Sequence, residues 1–357
     1  MTYPVVTVII PVKNAASYIR QTVSDLEAQD YPALELLIVE NGSSDETAKR
    51  AGEACEHFSQ RQGRSGRLLR SEKDGVSAAR NLGIANAQGK YVLFLDGDDR
   101  FEPNLVSALV RGIGDVGMVS CGYDTTIEDE GDSPIYASPE GNPRVLSRSD
   151  MISRLFFVTH YQGFVWNKMF RMEVIRRFYL RFHEDVFYNE DRTFVTEYLV
   201  HVKNARMLSD HLYHYIVHSS SAMGRAMTDQ ALAAEGTLSL EFEREHLHRF
   251  ERRVTEIRGF FYMEKALRGF PEPLFYCRQD EAFSELRLFA DILTSDKSLA
   301  KRYAHSDFRT YARRAPFLHF LASGKKEEAL FRKLIAYGFT GSSYTPDPGW
   351  FFREDEV

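Results

Sequence analysis

In the run YVLFLDGDDRF, from Tyr91 to Phe101, an apolar strand pattern leads straight into Asp96, Asp98 and Asp99, with Gly97 between the first two. Three carboxylates this close repel one another, and each is costly to desolvate unless something pairs with it. One reading is a surface turn, where Asp and Gly are ordinary residues and water screens the repulsion. The other is a divalent cation, since hard oxygen ligands suit Mg2+ or Mn2+. The eleven residues alone favour the turn. A second acidic cluster, in FHEDVFYNEDRTF, offers Glu184 with Asp185 and Glu190 with Asp191. A carboxylate there can take the proton from an attacking hydroxyl. It can also simply begin the helix RTFVTEYLV, where negative charge is favourable.

The elements around these clusters alternate. VVTVIIPV (Val5 to Val12) reads as a buried strand, and ASYIRQTVSDLEAQD after Asn14 as an amphipathic helix. LELLIVE is a second strand, followed by NGSSDETAKRAGEAC, a helix capped by Ser and Asp. GRLLRS is a third strand, GVSAARNLGIANAQG a third helix ending at Gly89, and KYVLFLD a fourth strand. This α/β pattern predicts a mainly parallel sheet with helices on both faces. Ligands of such sheets bind at the carboxyl ends of the strands. Pro11, Glu40 and Asp96 all fall at such ends, so they are expected to converge, and the convergence weakens the surface-turn reading. From Tyr123 to Pro143 the chain turns acidic and rich in Gly and Pro, which reads as a loop.

Several chemistries fit a DGDD cluster after a strand. No GxxxxGK[ST] is present, and GIGDVG (Gly112 to Gly117) follows a helix and precedes a strand, the reverse of a dinucleotide fingerprint. A haloacid-dehalogenase-type phosphatase places its DxD on the first strand, continued by Thr or Val. Here Asp98 is followed by Asp99 and Arg100, on the fourth. A nucleotidyltransferase would use two carboxylates for a metal pair and a basic, Gly-rich loop after strand one, which PVKNAASY lacks. A sugar-nucleotide transferase would hold one metal across a diphosphate. A catalytically silent glycan- or nucleotide-binding module would have a broken metal or base motif, and both are intact.

The ordered set VTVIIPVKNAASYIRQTVSDLEAQDYPALELLIVENGSSDET and GVSAARNLGIANAQGKYVLFLDGDD resembles glycosyltransferase family 2, over Val5 to about Ser221. The resemblance implies the GT-A fold and inverting transfer from a nucleotide-diphospho-sugar, a UDP-sugar first, to a glycan or lipid-linked hydroxyl. It implies Pro11 and Glu40 around base and ribose, Arg80 near the diphosphate, Asp96 and Gly97 on the ribose side, and Asp98 on Mn2+ or Mg2+. His218, Ser219 and Ser220 of HYIVHSSSAM would close over the diphosphate, with His218 in reach of the metal. Asp191, followed three residues later by Phe194, matches the family's base, with Glu190 beside it on the acceptor side. Asp185 fits less well. Trp166 and Lys168 of VWNKMFR are implied acceptor contacts, and Trp166 reads equally as core. The family often has Asp-Asp where this chain has Glu40-Asn41, so the contact with the base is altered. Without the resemblance, Arg80 reads as a helix-surface cation and Glu40 as a strand-end carboxylate.

Bulk properties set the frame. The 357 residues exceed one typical core and predict two domains, 1–225 catalytic and 226–357 helical. A net charge of −6 argues against a nucleic-acid partner. Cys55, Cys121 and Cys277 are too scattered for a disulfide framework or zinc site, which points to a reducing, cytoplasmic compartment. The N-terminal residues lack a signal-peptide pattern, and no stretch approaches a membrane span. In the C-terminal part Leu240, Leu247, Val254 and Phe261 recur every seven residues. Arg313, Arg314, Lys325, Lys326, Arg332 and Lys333 interleave with apolar residues. Core packing ranks first for this region, a homo-oligomer contact second, and peripheral contact with the inner face of the cell membrane third.

Overall fold

A computed structural model of the chain describes residues 3–127, 136–137, 143–148, 151, 155, 163–184 and 190–218. The chain divides into two compact units, Met1–Ala226 and Met227–Val357. All described residues lie in the first, so the expected helical domain, its heptad seam and its basic segment fall outside them.

β-branched and aliphatic runs form the centre of the sheet. Strands β1 (Val6–Val12), β2 (Leu34–Glu40), β3 (Arg64–Arg70) and β4 (Tyr91–Phe94) pair in parallel, in the order β3-β2-β1-β4. Beyond β4 the sheet departs from the mainly parallel pattern. β9 (Lys168–Arg171) inserts antiparallel between β4 and β6 (Met118–Ile127), and β10 (Asn204–Val217) then runs parallel to β6. The two-residue β5 (Arg100–Phe101) pairs antiparallel with β10. β7 (Tyr136–Ala137) and β8 (Arg144–Ser147) add antiparallel to β6 and β10. β6 also corrects the expected loop from Tyr123, because the strand continues to Ile127 before the acidic stretch.

Alternation along β1 separates two packed faces. Val6, Val8, Ile10 and Val12 join a cluster with Ile19, Val23 and Leu26 of α1 (Ile19–Glu27) and with Ala51, Cys55 and Phe58 of α2 (Thr47–Phe58). Each fully buried Val, Leu, Ile or Phe side chain contributes about 1.5–3 kcal/mol. α4 (Leu105–Ile113) packs its Leu105, Leu109 and Ile113 into the same cluster. The opposite face takes α3 (Val76–Asn86). A Cβ on Gly83 would lie 2.5 Å from Ile9 Cγ2, so only glycine lets that helix sit so close to β1. Phe94, Phe170, Phe182 and Phe194 stack edge and face beside it, with centroids 4.2–5.9 Å apart. Phe194 belongs to α6 (Glu190–Val200), and α5 (Met172–Arg177) follows β9 directly.

The buried Glu35 of β2 is fully employed. Glu35 accepts hydrogen bonds from Thr7 Oγ1 (2.6 Å), Gln88 N (2.7 Å) and Arg67 (2.9 Å), tying β1, β3 and the α3–β4 connection together. Register then aligns the far ends. Ile9 lies beside Phe94, and Val12 beside Glu40, so Pro11, Glu40 and Asp96 emerge at one edge.

Candidate active site

The turn after β4 separates its carboxylates by giving each a different environment. Asp99 points inward, is 1% exposed, and accepts from Tyr213 Oη (2.6 Å) and Ile216 N (2.8 Å). Burial, with Asp96 and Asp98 nearby, raises its pKa well above the carboxylate range. Gly97 approaches β1 so closely that a Cβ would lie 2.9 Å from Val12 Cγ1, and its carbonyl accepts from Thr22 Oγ1 at 2.7 Å. Asp98 remains outward, its side chain 41% exposed. His218, just past β10, places Nε2 3.2 Å from the Asp98 carbonyl and 3.9 Å from its Oδ2, with the ring tilted against Tyr18.

Asp96 turns instead to a buried cation. Arg80 of α3 reaches Asp96 Oδ1 at 3.2 Å, Glu190 Oε1 at 3.1 Å and Asp191 Oδ1 at 2.6 Å. Its guanidinium lies over the Phe182 ring, 5.2 Å from the centroid, and its buried Nε has no partner. Burial opposes the charge, but Asp191, Asp96 and Glu190 override it and hold Arg80 protonated. The helix-surface reading of Arg80 is therefore corrected. Arg80 is 3% exposed, a cation surrounded by carboxylates in place of a solvated one.

Asp191 opens α6. Its Oδ2 accepts from Val165 N at 3.2 Å while Oδ1 takes Arg80. Burial pushes its pKa up to about 7, with Glu190 adding to the rise, against the pull of Arg80, the Val165 N–H and Lys168. Such a carboxyl is poised to exchange a proton near neutrality. Trp166 is 2% exposed and stacks on Tyr213 (4.4 Å) and Phe164 (4.7 Å), which places its ring in the core. Lys168 is wholly buried, its Nζ donating to Phe164 O (2.6 Å) and Asn167 Oδ1 (2.7 Å). Burial lowers its pKa to about 7.

At the other end of the edge, the Glu40 carboxylate accepts from Ser43 N. Pro11 sits in β1 opposite Val39. The structure thus brings together Arg80, Asp96, Glu190 and Asp191, sets Asp98 and His218 side by side, and leaves Trp166 and Lys168 beneath. Ser219, Ser220 and Asp185 lie outside the described residues.

Two residues here, Asn81 and Tyr213, escaped sequence reasoning, and a third, Asn41, was read only as a departure from the family's Asp-Asp. Asn41 donates from Nδ2 to Lys73 O (2.7 Å) and accepts from Gly75 N (2.8 Å), bracing the loop before α3. Asn81 exchanges two 2.8 Å bonds with the backbone of Phe182. Its signal was an Asn inside a helix, where the residue is a poor former unless its side chain has a job. Tyr213, which holds Asp99 and the Asp96 amide, lies in an aromatic strand with nothing to mark it.

Among the described residues no cluster of three acidic, His or Cys side chains is preassembled for a metal. The donor set nevertheless fits a hard cation that takes one or two carboxylates together with substrate phosphates. Asp98 offers an outward carboxylate at the strand edge, and His218 lies beside it.

Comparison with known proteins agrees with this architecture. Residues 7–178 match glycosyl transferase family 2. EpsJ of Bacillus subtilis (strain 168), an uncharacterized glycosyltransferase, is 30% identical over 218 residues, 59% of this chain and 61% of its own length. The match thus spans less than two thirds of that relative. Residues 1–349 of S. aureus TarS, in complex with UDP-GlcNAc, superpose with a TM-score of 0.61 at 17% identity, over 96% of this chain and 93% of that one. Mannosyltransferase PcManGT from Pyrobaculum calidifontis, in complex with GDP-Man and Mn2+, gives 0.51 at 18% identity, over 90% and 87%. These two likenesses concern the fold, which is of the GT-A type. Residues 7–178 thus form a glycosyl transferase family 2 domain.

Proposed function

We propose that the protein transfers a hexosyl or N-acetylhexosaminyl unit from a UDP-sugar to a hydroxyl of a glycan, polyol-phosphate or lipid-linked acceptor, with inversion and with Mn2+ or Mg2+. One observation carries the reading. Arg80 gathers Asp96, from the turn that bears the outward Asp98, and Asp191, the carboxyl whose proton affinity suits a base, into one cluster at the strand edge. UDP-GlcNAc in TarS and GDP-Man with Mn2+ in PcManGT support a nucleotide-sugar and a divalent metal as the donor complex.

In this reading Pro11, Glu40 and the Asn41-braced loop frame the nucleoside, and Asp96 and Gly97 face the ribose. Asp98 and His218, with Ser219 and Ser220, belong to the diphosphate and metal. When bound, the metal neutralises charge on the departing diphosphate. Asp191 takes the acceptor hydroxyl proton as that oxygen attacks the anomeric carbon. The bond from that carbon to the diphosphate oxygen breaks, and the electron pair leaves with UDP. Arg80 keeps the Asp191 carboxylate aimed and favours its ionised form, and Glu190 lies beside it on the acceptor side.

A thermal-shift series with UDP-, GDP- and dTDP-sugars, each with MnCl2 or EDTA, tests the donor assignment. Ligand at a hundredfold its Kd stabilises the folded state by about 2.7 kcal/mol. A shift with a UDP-sugar that vanishes in EDTA is expected. Absence of any metal-dependent shift across the series would reject it.

A further inference from the structure

The segment from Gly163 to Lys168 does more than floor the site. Its backbone N–H at Val165 is the second ligand of the Asp191 carboxylate, at 3.2 Å. That N–H points correctly only if the turn is held, and a set of buried contacts holds it. Lys168 Nζ donates to the carbonyl of Phe164, one residue before Val165, and also to Asn167 Oδ1. Lys168 N closes onto Val165 O at 3.2 Å. Asn167, itself wholly buried, donates from Nδ2 to Cys121 O (3.0 Å), and Cys121 N donates to Asn167 O (3.0 Å), locking the turn to β6. At the other end a Cβ on Gly163 would lie 2.4 Å from Arg192 Cβ, so the turn rests directly on the first turn of α6. A buried ammonium is costly unless its hydrogen bonds are made. This one spends two of its three donors on the turn that carries the N–H facing Asp191.

We infer that Lys168 is a positioning residue for Asp191: it fixes the Gly163–Lys168 turn so that Val165 N–H orients the carboxylate, and it does not bind the acceptor. The inference rests on Asp191 acting as the base. Charged groups facing Asp191 from the packed elements are Arg80 on α3, Asp96 after β4, Glu190 on α6 and Lys168 on β9. Removing Lys168, or pushing the turn away, strips Asp191 of groups that favour its anionic form. Its pKa then rises, and the acid limb of the rate profile moves to higher pH.

The experiment measures UDP release from the UDP-sugar that stabilises the wild type, with water as acceptor, across pH 5–9. An acceptor contact has no part in that reaction, whereas an oriented base does. Lys168→Met is expected to lower kcat by about 10- to 100-fold, leave the donor KM within twofold, and move the acid limb upward. Lys168→Arg, which retains the charge, should leave the limb in place. Gly163→Ala should reproduce the upward shift by forcing the turn off α6, and serves alone if Lys168→Met does not fold. Wild-type kcat and an unmoved limb in Lys168→Met, or in Gly163→Ala where it stands alone, would overturn the inference. If the wild type releases UDP from no sugar nucleotide, the proposed activity fails instead. The positioning claim is then decided by following the Asp191 carboxyl with 13C NMR, where an unchanged titration in the variants overturns it and an upward shift supports it.

Discussion

The two acidic clusters of this chain look alike in sequence and are handled in opposite ways. After β4, the turn disperses its charges: Asp99 goes inward to Tyr213 and Ile216, Asp98 outward, and Asp96 sideways to Arg80. At the start of α6, Glu190 and Asp191 are gathered onto the same guanidinium. Dispersal leaves one exposed carboxylate suited to a cation, while gathering leaves a buried carboxyl whose proton affinity sits near neutrality. Arg80 is the hinge of the comparison, since it belongs to both.

The contrast breaks most visibly in activity. Asp191→Asn should cut transfer by about 10²–10⁴ while the donor-induced thermal shift stays as in the wild type. Loss of donor stabilisation together with activity would instead place Asp191 on the donor side and merge the two clusters.

Stability comes next. Arg80→Met leaves three carboxylates facing one another with no cation between them. Breaking a buried pair by removing one partner costs about 3–5 kcal/mol. Urea denaturation at pH 7 should show a loss of that order. The loss should shrink at acidic pH, as the orphaned carboxyls protonate. A loss under 1 kcal/mol would mean the cluster is solvated and the gathering only apparent.

The smallest effects separate neighbours within the first cluster. Asp99→Ala removes the acceptor of the buried Tyr213 hydroxyl proton and of the part-buried Ile216 N–H, which costs about 1–3 kcal/mol. Asp98→Ala, at an outward position, should change the stability of the free protein by about 0.5 kcal/mol or less. It should abolish the Mn2+-dependent donor shift. Equal losses of stability from the two would erase the inward–outward distinction.

Much of this was legible before any coordinates. Strand and helix periodicities located β1 to β4 and α1 to α3, and the strand-end rule put Pro11, Glu40 and Asp96 at one edge, where they lie. Those signals are local, read from spacing of two or 3.6 residues. Which of three adjacent aspartates faces inward is not local. It depends on Tyr213 and Ile216, more than a hundred residues away, arriving on β10. Antiparallel β9 was equally hidden, because a four-residue strand carries no sign of its direction.

The types and order of the chemical groups are thus properties of the sequence: a DGDD turn after a strand, an arginine on the third helix, and a Glu-Asp pair before an aromatic helix. Their partnerships are properties of the tertiary structure. Charge and burial are decided by what packs against a side chain, and the packing here comes from elements distant in the chain. Arg80 meets Asp191 across 111 positions, and Lys168 braces the turn whose Val165 N–H faces that carboxylate. Residue spacing carries no information about contacts of that kind, so the folded sheet alone determines which carboxylate is ionised, which is shielded and which is aimed.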